Sequence, residues 1–151
     1  MSVRARSAVE TPTPAVAIEV EYWFAPHRRS PGLARAALRN RLQEWGIGGE
    51  VADAAELLLS ELVANAVKAS AEPGGAGRDV GVRFTLAAGR LRVEAVDGGD
   101  GWPVLNQAEG DDECGRGLAV VAALADAWGV APHEAGKAVW AELTVTNSAV
   151  P

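Results

Sequence analysis

Three short stretches hold the residues best equipped for chemistry: Glu61-Leu-Val-Ala-Asn65, Asp97-Gly-Gly-Asp-Gly101 and Gly115-Arg-Gly-Leu118. In the first, a carboxylate and an amide stand four positions apart. On a helix turning about 100° per residue they lie within about 40° of each other, on one face. An asparagine oxygen is a hard ligand suited to magnesium, which keeps waters and phosphate oxygens in the rest of its shell. A glutamate one turn earlier would face the γ-phosphate and act as general base. The plainer alternative is that Glu61 and Asn65 meet a neighbouring arginine and a backbone amide, because polar groups in an apolar helix need partners.

In the second stretch, the strand-like run Leu91–Val96 leads straight into Asp97. A carboxylate fixed at a strand end accepts a hydrogen bond from an exocyclic amine such as that of adenine. Gly99 and Gly101 let the backbone approach a flat base or take positive φ; the alternative is an ordinary turn. In the third, Gly115-Arg116-Gly117 opens a helix, where free N–H groups attract phosphate. Arg116 can add a charge-assisted bond, or can simply be solvated. No Walker A loop and no dinucleotide fingerprint is present. His27, His133 and Cys114 lack the spacing of a zinc site. Each stretch alone is ordinary; in this order they form a set of parts for a nucleotide and its metal.

The elements that must position these parts follow from patterning. Ile18–Phe24 alternates as a strand. Ser30 is a candidate cap for a helix over Pro31–Trp45, with Leu33, Ala37, Leu38, Leu42 and Trp45 at helical spacing and Arg35, Arg39 and Arg41 among them. A second helix over Glu50–Ser70 is apolar nearly all round, as expected of a buried one. Val80–Leu86 and Leu91–Val96 form a hairpin about Ala88-Gly89-Arg90. Gly98–Glu113 is a long loop, Gly117–Trp128 a short apolar helix, and Gly129–Pro132 and Lys137–Val145 are the last strands. The order β-α-α-β-β-loop-α-β-β, with tight turns between neighbours, predicts an α/β (α+β) two-layer sandwich. Its sheet is mixed but largely antiparallel, covered on one face by about three helices. Residues 1–17 are expected to be a flexible tail, 18–146 a single domain and 147–151 a second tail.

Bulk properties narrow the functions. The chain has 151 residues, 48% hydrophobic, with a net charge of -6. That disfavours direct contact with nucleic acid, which asks for a basic face. The single cysteine fits a reducing cytoplasm, and no apolar run reaches the roughly 18 residues of a membrane helix.

With these motifs in place, the chain resembles the GHKL ATP-binding superfamily, within it the small anti-sigma-factor serine/threonine kinases of bacteria. The family's Glu-x-x-x-Asn box falls on Glu61 and Asn65, within Ser60-Glu-Leu-Val-Ala-Asn-Ala-Val67. Its Asp-x-Gly-x-Gly box falls on Asp97, Gly99 and Gly101, and its second glycine box on Gly115, Arg116, Gly117 and Leu118. The ending Trp128-Gly-Val and Gly136-Lys-Ala-Val-Trp140 looks like the same branch. The resemblance implies a Bergerat-type fold binding ATP and Mg2+ in a cleft beside the sheet. Glu61 would then be the catalytic base and Asn65 the metal ligand. Asp97 would contact adenine, with the Gly115–Leu118 turn and Lys137 at the phosphates. It implies an anti-anti-sigma protein or a sigma factor as partner, often with a homodimer. Ala69, Ala138 and Asp100 differ from residues common in the family. They support a second expectation, a non-catalytic module that binds a sigma factor or anti-anti-sigma domain in response to nucleotide.

Overall fold

The computed structural model describes residues 17–71, 78–97, 113–134 and 136–145. The tails expected at either end lie almost wholly outside the described residues. In chain order the elements are β1 (Ala17–Phe24), α1 (Ser30–Glu44), α2 (Gly49–Ala71), β2 (Val80–Ala87), β3 (Arg90–Asp97), α3 (Glu113–Leu124), β4 (Ala127–His133) and β5 (Gly136–Thr144). The strands form one sheet in the order β1-β2-β3-β5-β4, and every pairing is antiparallel.

Strand alternation explains the layering. Val82 and Phe84 on β2, Leu91, Val93 and Ala95 on β3 and Ala141 on β5 are all buried on one face. Against them α2 contributes Leu58, Leu59, Leu62 and Val63, and α1 contributes Ala34, Leu38 and Leu42. The long helix α2 lies on β3, β5 and β2, with α1 and α3 packed beside it. The β2–β3 hairpin closes through Ala88 and Gly89 at φ 51° and 73°. Positive φ at both central residues marks the turn whose twist matches the strands, and the glycine takes its share without strain.

Two expectations need correcting. Ser30 does not cap α1: the cap position is Arg29, and no side chain caps the helix. The Ser30 hydroxyl instead donates to the Ala25 carbonyl at 2.7 Å and accepts from the His27 N–H at 3.2 Å, tying the entry loop together. The third helix was expected over Gly117–Trp128, but α3 spans Glu113–Leu124. It stops early because the sheet captures the chain. The Asp126 N–H donates to the Glu142 carbonyl at 2.8 Å, and the Asp126 carboxylate accepts from the Thr144 N–H at 2.7 Å. That backbone bond holds the Asp126 carboxyl below its ordinary value. Trp128 thereby becomes a strand residue, paired with Ala141.

Candidate ATP site

The side of α2 that faces away from the core carries Leu57, which is 44% exposed. One turn on is Glu61, and one turn further Asn65, both half-buried. The arginines of α1 are engaged elsewhere. Arg35 donates to Ser60 Oγ at 3.1 Å, Arg39 bonds both Glu56 oxygens at 3.0 and 3.2 Å, and Arg41 donates to the Tyr22 hydroxyl at 2.9 Å. Glu61 forms no hydrogen bond or ion pair among the described residues. Asn65 Nδ2 is buried with no hydrogen-bond partner. Among the described residues, no arginine bonds to either side chain. Leaving a buried amide unmet costs about 1–3 kcal/mol, a cost a ligand would relieve.

Asp97 ends β3 and is buried, 2% exposed. Its register partner on β5 is Lys137. The Lys137 ammonium donates to Asp97 Oδ1 at 2.7 Å, and Lys137 is itself only 6% exposed. Lys137, expected at the phosphates, is thus engaged with the carboxylate expected at the base.

Helix α2 brings its own polar pair toward this end of the sheet. Buried Ser70, near the end of α2, donates to the Arg78 carbonyl at 2.6 Å. Arg78 lies two residues before β2, whose Gly81 stands opposite Val96, the neighbour of Asp97. The C-terminal end of α2 and the end of β3 therefore meet at one end of the sheet. Asn65 sits about 7.5 Å along the helix from Ser70.

The backbone of Gly115–Leu118 lies near the start of α3. Gly115 falls in the first turn, whose N–H groups have no intrahelical partner. Gly117 lies past that turn, inside the hydrogen-bonded ladder. Gly99, Gly101 and Asp100 lie outside the described residues, as do the side chains of Arg116 and Leu118. Ala138 stands opposite Val96 on the sheet face away from the helices, because neighbours on a strand alternate. Ala138 therefore does not line the face that carries Lys137.

That far face has its own polar network. Arg83 has Glu19, Glu21 and Glu94 within 3.7–3.8 Å and His133 Nε2 at 3.5 Å. Arg92 bonds Glu142 at 2.9 Å and lies 4.1 Å above the Trp140 ring. Burial pushes the Glu94 carboxyl up, against the pull of Arg83 and Arg92. Among the described residues no cluster of His, Cys, Asp and Glu is suited to hold a metal. An ion here would need an amide such as Asn65 and oxygens supplied by its ligand.

The five-stranded antiparallel sheet with its covering helices is an α+β sandwich, with a buried acid at the end of β3 and an amide nitrogen on α2 that has no hydrogen-bond partner among the described residues. The model of the histidine kinase-like ATPase domain matches residues 24–143, and the chain belongs to that family. Among solved structures, it is similar to the RsbU and RsbW domains of Rv1364c from Mycobacterium tuberculosis. The TM-score is 0.64 at 21% identity, over 89% of this chain and 33% of that one. At that identity the likeness shows the fold, and this chain spans about a third of the other's length. No relative among curated proteins matches. Among the described residues, no helix is long and apolar enough to cross a membrane.

Proposed function

We propose that the protein is an ATP-dependent serine/threonine kinase of the anti-sigma type, acting on an anti-anti-sigma partner and so on transcription. The observation that carries this is the pair on α2: among the described residues, the Glu61 carboxylate has no partner and the Asn65 amide nitrogen is buried and unmet. A helix that packs its core side this completely has no structural need of both groups on its other side. Because no hydrogen bond among the described residues holds the Asn65 amide, half a turn of that group presents its oxygen in place of its nitrogen.

In this reading Asn65 holds Mg2+ and Asp97 accepts from the adenine amino group. The first-turn amides of α3, with Arg116, receive phosphate. Magnesium and the triphosphate supply the transferable group and neutralise its charge. Glu61 would accept the proton of the substrate serine hydroxyl as that oxygen bonds to the γ-phosphorus and the bond from that phosphorus to the bridging oxygen breaks, releasing ADP. The remaining rate comes from positioning and charge stabilisation. The RsbW domain of the similar mycobacterial structure makes an anti-anti-sigma or sigma-factor partner the first to test, with a homodimer as the assembly.

The test incubates the protein with γ-labelled ATP and a panel of anti-anti-sigma proteins from the same genome, alongside Glu61→Ala. Labelling of one partner that disappears in E61A supports the kinase. ATP binding with no partner labelled, and a biological effect that survives E61A, would leave the nucleotide-responsive binding module instead.

A further inference from the structure

We propose that Lys137 is a specificity-determining residue of this site, its ammonium donating to ring nitrogen N1 of the adenine whose amino group Asp97 accepts. The inference rests on the nucleotide reading above and deepens it. Lys137 stands directly opposite Asp97 in the β3–β5 register, so both side chains leave the sheet on the helix-covered face. Their polar atoms are 2.7 Å apart, and both residues are buried.

An ammonium carries three N–H donors. One goes to Asp97, and Lys137 has no other partner among the described residues. Among the described residues two donors therefore remain without an acceptor, on a residue only 6% exposed, where unmet donors are costly. Asp97 and Lys137 together offer an acceptor beside a donor. The edge of adenine offers the complement, the amino donor beside the N1 acceptor. Guanine reverses the order, with O6 accepting and N1–H donating, so the same placement sets acceptor against acceptor. A group touching the base edge stands a ribose away from the phosphates. Lys137 therefore serves the base end of the nucleotide.

The test titrates the full chain calorimetrically with ATP, 1-deaza-ATP and GTP in magnesium. Wild type should bind 1-deaza-ATP roughly ten- to hundredfold more weakly than ATP, the range for losing a hydrogen bond to a charged group. Lys137→Met should bind the two analogues alike. Wild type binding ATP and 1-deaza-ATP equally overturns the proposal and leaves the nucleotide reading intact. No binding of ATP overturns both. Should K137M not fold, the side-chain 15N resonance of Lys137 gives a second readout in the wild-type chain. It should move with ATP and not with 1-deaza-ATP, and a resonance indifferent to both overturns the proposal.

Discussion

The two faces of the sheet treat charge in opposite ways. On the open face, Arg83 is ringed by three carboxylates and a histidine, and Arg92 is shared between Glu142 and the Trp140 ring. Even Arg83 Nε, which lacks a hydrogen bond, has carboxylate oxygens at 3.7 and 3.8 Å. On α2, Glu61 and Asn65 have no such company among the described residues. On the helix-covered face of the sheet Lys137 donates to Asp97 and has no other partner among the described residues. Charges that serve the fold are satisfied within the chain. Polar groups left incomplete at one end of the sheet are those a ligand can complete. In the proposed reading the helix-covered face is the working one, although the open face has more charge.

Substitutions can break or sharpen that contrast. The largest effect is expected at Glu61: Glu61→Gln should lower phosphotransfer about 10²–10⁴-fold, as for loss of a general base. Its stability should stay within about 0.5 kcal/mol of wild type, since it has no partner to lose. A matching loss of stability in denaturant titrations would show that Glu61 serves the fold after all. Asp97→Asn should behave oppositely, costing about 3–5 kcal/mol because the buried Lys137 ammonium loses its counter-charge. The double variant Asp97→Asn/Lys137→Met should recover most of that, and failure to recover would show that the cost lies outside the Asp97–Lys137 contact. Reduced ATP affinity in Asp97→Asn is therefore informative only beside a stability measurement.

The open face should respond through packing and pH. Gly129 sits beneath Trp140, and a Cβ built on it would come within 2.8 Å of the indole. With the ring held under Arg92, Gly129→Ala should cost about 1–3 kcal/mol in chemical denaturation and leave ATP affinity unchanged. The smallest effect concerns Glu94, whose carboxyl burial raises above its ordinary 4.5. Arg83, Arg92 and His133 face it and pull the other way, while Glu19 adds to the rise. The folded protein keeps a proton there that the unfolded chain has released. The stability it contributes is thus full below the ordinary carboxylate value and is lost as pH rises through the raised one. Wild type should lose Tm relative to Glu94→Gln between mildly acidic and neutral pH. A constant difference would mean that Arg83 and Arg92 outweigh burial.

Much of this could be read along the chain. Alternation located β1 because Val20, Tyr22 and Phe24 are half-buried against the core between exposed neighbours, and the Ala88-Gly89 turn announced the hairpin. The Glu61–Asn65 spacing placed two functional groups on one helix face before any fold was known. The end of α3 was misplaced for a physical reason. Ala125, Ala127 and Trp128 continue an apolar helical pattern, and only the bonds from Asp126 to Glu142 and Thr144 pull the chain into the sheet. The same holds for Ser30, a good cap by type, whose hydroxyl is taken by the loop before it.

Local order therefore determined which groups this protein has for chemistry: a carboxylate and amide one turn apart, an acid at a strand end, and glycines at a helix start. Those facts depend on residues a few positions apart, and backbone geometry alone relates them. What Lys137 does was decided only in three dimensions. β5 inserts between β3 and β4, bringing residues forty positions apart into one register, and no local pattern encodes which strand will be a neighbour. That Arg35, Arg39 and Arg41 of α1 bond Ser60, Glu56 and Tyr22 rather than Glu61 was decided there too.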